Sequence, residues 1–379
     1  MRRLLLLGLL LLLAPATVVA QASQFGVRGL GVPGRPLSTR AAGSSGAFAM
    51  FDAESGLNPA TLGGMSAMTA TFNATESFRS VENPAGSESL RDTRFPYMSF
   101  GGPARGTPFA IGVSYSTYTN RDFSNATLDT LELRDVLIPV FDTLSSRGGM
   151  SDLRIAGSFR PGERSVLGAS FHVLTGTNRM EQHRTFTDEQ YLPVRQSTEL
   201  SFAGLGVSVG AVHQLGRSLW VAAMARSDGG ASVERDSAPV GDIDLPYSLG
   251  LGLRWKAGAR LDLAGHGIFR TWAGANSDLL ALGGAGADNT VEFAFGGEFV
   301  SDPRRPNRTP IRFGAHYATL PFLLPPGLQP TEFAASLGSG VRFAQDRGSV
   351  DLAVGYLTRS TGDFEERGFT LSFGVAVRP

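Results

Sequence analysis

The chain reads as an all-β protein, a 14-stranded antiparallel transmembrane β-barrel with an N-terminal segment held inside its lumen. Three observations predict this. Fourteen runs alternate between apolar residues and small or polar ones with a period of two, the signature of a strand with two different faces. No position on the apolar face of these runs is charged, although 18% of the 379 residues are. The connections alternate as well: they are mostly short after even-numbered runs and mostly longer after odd-numbered ones. That is the pattern of a barrel with tight turns at one rim and loops at the other.

The first residues carry an address. Met1-Arg2-Arg3 is a positive start, Leu4 to Leu13 is an apolar run broken only by Gly8, and Ala14 to Ala22 offers small-residue cleavage sites. Residues 1–22 are therefore expected to be a secretory signal, too short to serve as a membrane span. The chain has no Cys, so after export it has no disulfides to stabilise it. No later window holds the roughly 18 apolar residues that a spanning helix requires, so any span is made of strands. The formal net charge of zero lacks the basic excess of a nucleic-acid surface, and no nucleic-acid partner is expected.

Residues 23–66 form a lead-in before the barrel proper, assigned to 67–379. Gln21 to Ala42 has no lasting periodicity. Gly43 to Met65 (GSSGAFAMFDAESGLNPATLGGM) is rich in Gly, Ala and Ser, with an acidic pair, Asp52 and Glu54, and apolar side chains at Phe48, Phe51 and Leu57. It turns on Asn58-Pro59-Ala60, where Asn tolerates unusual backbone angles and Pro fixes φ. A segment this small cannot build a core of its own, and the barrel is expected to wall it in as a plug.

The runs follow in order. The first places Met68, Ala70, Phe72 and Ala74 on its apolar face; the second, Phe95 and Tyr97; the third, Phe109, Ile111, Val113 and Tyr115, with Gly112 opposite. The fourth has Leu153, Ile155 and Phe159, and the fifth Leu167 to Val173. The sixth shows Leu200 and Phe202, then a one-residue slip at Ala203-Gly204 that predicts a bulge, then Leu205 to Ala211. The seventh runs from Leu219 to Ala225 and the eighth from Leu245 to Trp255. The ninth carries Leu261, Leu263 and Phe269, and the tenth Val291 to Phe299. The last four are Ile311 to Tyr317, Phe333 to Phe343, Val350 to Tyr356 and Phe369 to Val377. The opposite face holds Arg154, Arg226, Arg254, Arg270, Glu292, Glu298, Arg312 and Glu332, with Asp262, Arg342 and Asp351. A charge facing lipid at mid-bilayer costs about 2–4 kcal/mol, so the apolar face is expected outward and the charged face inward. Trp255, Tyr247, Tyr317 and Tyr356 sit near strand ends, like girdle residues. An even strand count places both termini at the short-turn rim, the periplasmic side of an outer membrane.

Gly43 to Met65, in the order Gly-x-x-Gly-Ala-Phe-Ala, acidic turn, Asn58-Pro59-Ala60 and first strand, resembles the N-terminal hatch of FadL-type transporters. Phe25-Gly26 and Gly29-Leu30-Gly31 resemble the start of the same hatch. The resemblance implies a fourteen-stranded outer-membrane barrel that passes long-chain fatty acids or aromatic hydrocarbons. It also implies sideways release of ligand at the third strand, where Gly112 would permit a kink. The chain departs from the family in ending on Arg378-Pro379 rather than on an aromatic residue, and in short connections after the fifth and seventh runs. Relatives with the same Asn-Pro-Ala hatch serve as secretion-system accessories, so the resemblance covers that role too.

The residues offer little to an enzyme. The five His (His172, His183, His213, His266 and His316) lack metal-ligand spacing, and no Gly-x-Ser-x-Gly elbow or phosphate loop is present. His266 and His316 fall on the inward face, where a Ser and a carboxylate complete a triad only in principle. No catalytic residue, metal or cofactor is expected. Pro321 to Pro330, Val136 to Phe141 and Leu279 to Leu282 are apolar stretches in connections, read as exposed tips that gather ligand. A hydrophobic molecule is expected at Phe322, Leu323 and Leu324, then at the plug around Phe48, Phe51, Leu57, Asn58 and Pro59, whose displacement opens a path. The process is passive, because nothing couples it to ATP. The expected partners are this small molecule and outer-membrane lipid, around a monomeric barrel. A secretion or assembly accessory and a structural barrel or polar pore are the competing readings.

Overall fold

The structure, a computed structural model, describes residues 23–378 apart from 84–85, 134, 189, 283, 285, 304–307 and 326. The signal expected at 1–22 lies outside the described residues. Fourteen strands form the wall: β1 (Thr69–Asn83), β2 (Gly86–Pro103), β3 (Phe109–Asn120), β4 (Val136–Gly162), β5 (Ser165–Phe186), β6 (Val194–Gln214) and β7 (Leu219–Ser227). They continue as β8 (Tyr247–Lys256), β9 (Leu261–Arg270), β10 (Thr290–Phe299), β11 (Arg308–Thr319), β12 (Thr331–Phe343), β13 (Gly348–Thr361) and β14 (Phe364–Val377). Each pairs antiparallel with the next, and β14 pairs back onto β1 from Glu365–Glu82 to Val377–Ala70, which closes the cylinder. Closure leaves the membrane-spanning sheet no edge, as lipid requires.

The faces follow the period of two. Phe72, Val113, Ile155, Val207, Phe295, Leu337 and Leu371 all point outward and are exposed, and Leu251 is 71% exposed. Their in-between neighbours are buried, including Arg154, Glu292, Arg312, Glu332 and Asp351. An outer surface of Leu, Phe and Val around an interior of paired charges is the arrangement of a lipid-facing barrel, inverted relative to a soluble sheet sandwich. Among the described residues, no helix is long and apolar enough to cross a membrane.

Four residues, Tyr97, Leu200, Phe202 and Leu245, sit on the face opposite to the one expected, Leu200 packing with Phe202 on the same buried cluster. Tyr97 points inward at 1% exposure while Phe95 points outward. Between the pairs Asn73–Tyr97 and Thr75–Arg94 the register shifts, with one extra residue on β2 beside Pro96, which has no N–H to give the ladder. Phe202 is likewise buried, because the bulge expected at Ala203-Gly204 does not form. The β5–β6 register runs unbroken through Thr175–Ala203 and Leu174–Gly204, so the apparent slip in the pattern is a real inward Phe. Leu245 precedes β8 and is buried with Phe202 under the long connections.

The two rims differ as expected, though less through loops than through structured extensions. The connection between the third and fourth runs is not an extended loop but strand for most of its length: Phe123–Leu133 pairs along its whole length with Val136–Ser146 of the 27-residue β4. A second hairpin, Gly230–Arg235 with Ala238–Asp244, pairs onto β6. A short helix, Asn276–Ala281, lies between β9 and β10. At the short-turn rim β14 ends beside Gly348 and Ala70. The first described residue, Ser23, is at the other rim, its N–H donating to the Asp122 carbonyl and its hydroxyl to Glu366 at 2.6 Å. The described chain therefore begins and ends at opposite rims, not at one.

Replacing Leu251 with Arg places a charge against acyl chains and is expected to cost about 2–4 kcal/mol, enough to deplete folded barrel in membranes. Thr177→Arg, on the same outward face of β5 but beyond its apolar stretch, is expected to be near neutral. The shift in gel mobility between unheated and boiled samples measures both. Equal loss from the two variants would mean that Leu251 does not face lipid.

Candidate functional site

Residues 23–66 have little regular structure, and their local order comes from side-chain caps. Ser38 starts a helical turn, Thr39–Ala42, by accepting from the Ala41 N–H at 3.0 Å, the N-cap role of Ser. Its hydroxyl donates to Asp52 at 2.5 Å, and Ser55 donates to the same carboxylate oxygen at 2.6 Å. Asp52 thus ties the turn to the bend 14 residues later. Asn58 caps a 3-10 turn, Pro59–Gly64: its Oδ1 accepts from the Ala60 N–H at 3.0 Å and its Nδ2 donates to the Met50 carbonyl at 3.2 Å. Pro59 fits as the first residue of that turn because its missing N–H would have no partner there.

The segment lies against the charged face of the wall, strand after strand. Gly314 and Gly338 are required by its close approach: a Cβ on either would run into the backbone of Ser44 or Gly43. Gly168 and Gly210 play the same part against Ala60 and Asn58. Ser336 accepts from the Ser45 N–H at 2.6 Å and donates to the Ala42 carbonyl at 2.7 Å, while Asn73 donates to the Leu37 carbonyl at 3.2 Å.

Charge secures these contacts. Arg35 pairs with Glu292 at 2.8 Å, and Glu292 also holds Arg270 at 2.9 Å. Arg40 pairs with Glu298 at 3.2 Å, and Glu298 with Arg312 at 2.7 Å; Arg312 in turn meets Asp351. The Glu298 carboxylate raises the pKa of Arg40 further above its ordinary value and keeps it protonated. Glu54 meets Arg378, the residue before the last. Burial raises the pKa of Glu54, Asp52 adds to that, and Arg378 opposes both. Arg154 and Arg160 donate to the carbonyls of Gly56 and Gly63. The signal for this was present in the sequence: Arg35 and Arg40, two of the three Arg in the lead-in, set against carboxylates assigned to the inward face.

The residues singled out from sequence fall into separate groups. Phe48 packs on Ala264 and Ala294, with Phe51 beside it. Phe51 and Leu57 also flank Met50, Ala222 and Met224. Phe322 is remote from these. It is not an exposed tip but 3% exposed, stacked edge-on to Trp272 at 5.3 Å in an apolar cluster with Leu30, Met150, Phe202 and Leu279. Leu323 and Leu324 are half-buried. Within Leu279 to Leu282, Leu279 is buried and Leu280 exposed, and within Val136 to Phe141, Ile138 and Val140 are buried. The apolar stretches of the connections thus supply much of their own cover.

Below that cluster lie two lumenal cavities. One, of about 270 Å³, is bordered by Pro33, Gly34, Trp272, Leu320 and the guanidinium-bearing Arg79 and Arg359. The other, of about 60 Å³, shares Pro33, Gly34 and Trp272 with it and reaches Leu57. Trp272 Nε1 is buried without a hydrogen-bond partner among the described residues. A third space of about 300 Å³ borders Phe48, Phe51, Arg254 and Arg342. Beside the small cavity, Asp152 accepts from His172 Nδ1 at 2.9 Å, and His172 Nε2 is 2.9 Å from Ser208. This order of serine, histidine and carboxylate was not anticipated; His266 and His316, the inward histidines named from sequence, instead approach Glu292 and Glu332. Arg226 holds the other oxygen of Asp152 at 2.8 Å, and Ser208 is buried, so the group reads as part of the wall.

The wall has a seam. Gly112 is paired on both sides, with Gly101 and with Ala156, and no kink occurs there. Pairing between β2 and β3 instead stops at Tyr97–Ser116, where β3 bulges between Thr117 and Thr119. Above that point Val32 and Pro33 of the N-terminal segment take the vacant edge, opposite Asn120 and Thr119. The Gly34 N–H donates to the Tyr118 carbonyl at 2.8 Å. Arg94 spans the seam from β2 to Asn120 at 2.7 Å.

A family model described as BamG matches residues 4–219, more than half of the chain. Among solved structures, a Pseudomonas aeruginosa FadL homologue is similar over 92% of this chain and 99% of its own, at 13% identity and a TM-score of 0.64. The Ralstonia pickettii toluene transporter TbuX is similar over 91% and 98%, at 13% identity and a TM-score of 0.56. The CymD monoaromatic hydrocarbon channel is similar over 94% and 99%, at 15% identity and a TM-score of 0.54. At these identities the likeness shows a shared barrel fold. No curated protein matches the chain.

Glu292→Ala leaves Arg35 and Arg270 without their shared carboxylate. Breaking a buried pair from one side costs about 3–5 kcal/mol, and the partial exposure of both Arg places this site at the lower end. The expected outcome is a lower urea midpoint and faster tryptic cleavage after Arg40. An unchanged cleavage rate would show that this pair does not hold the segment.

Proposed function

The chain belongs to the BamG family, and from that premise and its geometry we propose an outer-membrane barrel that lets hydrophobic small molecules cross by passive, plug-gated diffusion. Residues 23–66 are its hatch, 67–379 its barrel and 1–22 its export signal. Long-chain fatty acids or aromatic hydrocarbons are the ligand class, in line with the hydrocarbon channels that share the fold. One observation carries the reading: Pro33 and Gly34 border the 270 Å³ cavity and also cover the bare edge of β3. A shift of these two residues alters lumenal space and wall seam together. Ligand enters past Phe322, Leu323 and Leu324, and reaches the cavity under Trp272. It leaves sideways where β3 parts from β2, above Gly112. Phe48, Phe51, Leu57, Asn58 and Pro59 hold the far end of the hatch. A ligand moves the hatch only by binding the shifted arrangement better than the resting one.

The ion pairs that secure the hatch favour a second reading, an accessory barrel of a protein secretion or assembly system. Several buried charge pairs resist displacement more strongly than a weakly bound hydrocarbon rewards it. A co-purified protein after mild extraction supports this reading, and a retained lipid-like molecule supports passage.

Deleting Ser44 to Pro59 is expected to leave a barrel that still shifts on boiling but conducts more in planar bilayers. Unchanged conductance would remove the hatch assignment. The absence of Cys allows a clean test of the exit. A thiol crosslinker bridging Arg94→Cys and Asn120→Cys is expected to slow uptake of a hydrophobic dye, with recovery when a cleavable linker is cut. Full uptake through the crosslinked protein would rule out the seam as the route.

A further inference from the structure

Three strands rise beyond the apolar band on one side of the barrel, and they end in a bare edge. Along β4 the outward positions are apolar at Leu153 and Ile155, then polar from Ser151 to Thr143 with Arg147 among them. They are apolar again at Phe141 and Leu137. Leu137 and Leu153 are on the order of 50 Å apart along the strand, well over the height of a lipid-facing band. Lipid therefore does not cover the upper patch, where Leu137 is 69% exposed and Leu128, opposite Phe141, is 81% exposed.

Phe123–Leu133 borders this patch. One edge pairs with β4 in unbroken register from Phe123–Ser146 to Leu133–Val136; no strand pairs with its other edge among the described residues. Residues 125–130 are exposed on both faces. Such an edge is normally blunted by Lys, Pro or a bulge. Here none is present, and the charges of the strand are Asp129 and Glu132 with no basic residue.

We infer that Phe123–Leu133 is a docking edge for an extended strand of a partner protein, one that alternates apolar with basic side chains. Backbone pairing supplies the affinity of strand addition and alternate side chains the specificity. Here the partner's apolar side chains lie beside Leu128 on the outward face, which Phe141 extends on the next strand, and its basic ones lie beside Asp129 on the opposite face. The inference is independent of passage through the lumen, since the edge lies outside it.

The test uses the full-length barrel in nanodiscs and a synthetic peptide of about ten residues, the length of one long strand, alternating Lys with Val and Thr. Controls carry Glu for Lys, or N-methylated backbone amides. The Lys peptide is expected to bind about tenfold tighter than the Glu peptide, to slow amide exchange at 124–133, and to lose binding on N-methylation. Asp129→Lys is expected to reverse the preference. Exchange at 124–133 that is unchanged by the peptide, or equal binding of the N-methylated peptide, would overturn the proposal. So would protection that rises with protein concentration alone, which would give the edge to a second copy of this chain.

Discussion

The constraint on which the rest of this structure depends is the fate of charge in a wall that faces lipid. A sheet with acyl chains on one side must turn every ionisable side chain to the other. The inward carboxylates and guanidiniums are then removed from bulk water, and a desolvated charge is tolerated only beside its opposite. Strand-to-strand pairs such as Arg254–Asp262 and Arg359–Glu332 satisfy part of this demand. Arg35, Arg40 and Glu54 of the N-terminal segment satisfy more of it. The segment and the lumen are therefore one electrostatic unit: the wall neutralises the segment, and the segment keeps the wall from holding unpaired charge.

Much of this was legible in the amino-acid sequence, because a lipid-facing strand has to alternate. All fourteen wall strands coincide with alternating runs, and the inward charges are where the period puts them. The misreadings share a cause, since alternation reports which residues share a face and not what covers that face. Tyr97 follows a bulge that a two-residue pattern cannot show. Phe202 and Leu245 are apolar and inward because a lid of Trp272, Leu279 and Phe322 buries them within the mouth. The same lid explains why Phe322 is no exposed tip. The strand at Phe123–Leu133 was hidden for another reason: with both faces in water it has no face to alternate.

The site was legible only in part. Phe48, Phe51, Leu57 and Asn58 do pack together against the wall, while Phe322 belongs to a separate cluster toward the opposite rim. Gly112 was named on the correct strand for a break in the wall, but the break lies above it, at Ser116 and Tyr118. Register decides this, and register depends on which strand edge a distant segment occupies. Nothing local in residues 112–118 announces that Val32 and Pro33 will take the place of β2.

The segment's position inside the ring also constrains the history of the molecule. The cylinder is sealed by its first and last strands, β1 and β14, and the lead-in is joined directly to β1. A finished ring would offer forty residues no simple way in past interlocked arginines and glutamates. The sheet must curl around its own leader, so the leader acts as the mandrel on which the final seam is zipped. Arg378, at the far end of the chain, then meets Glu54 only when that last seam has shut.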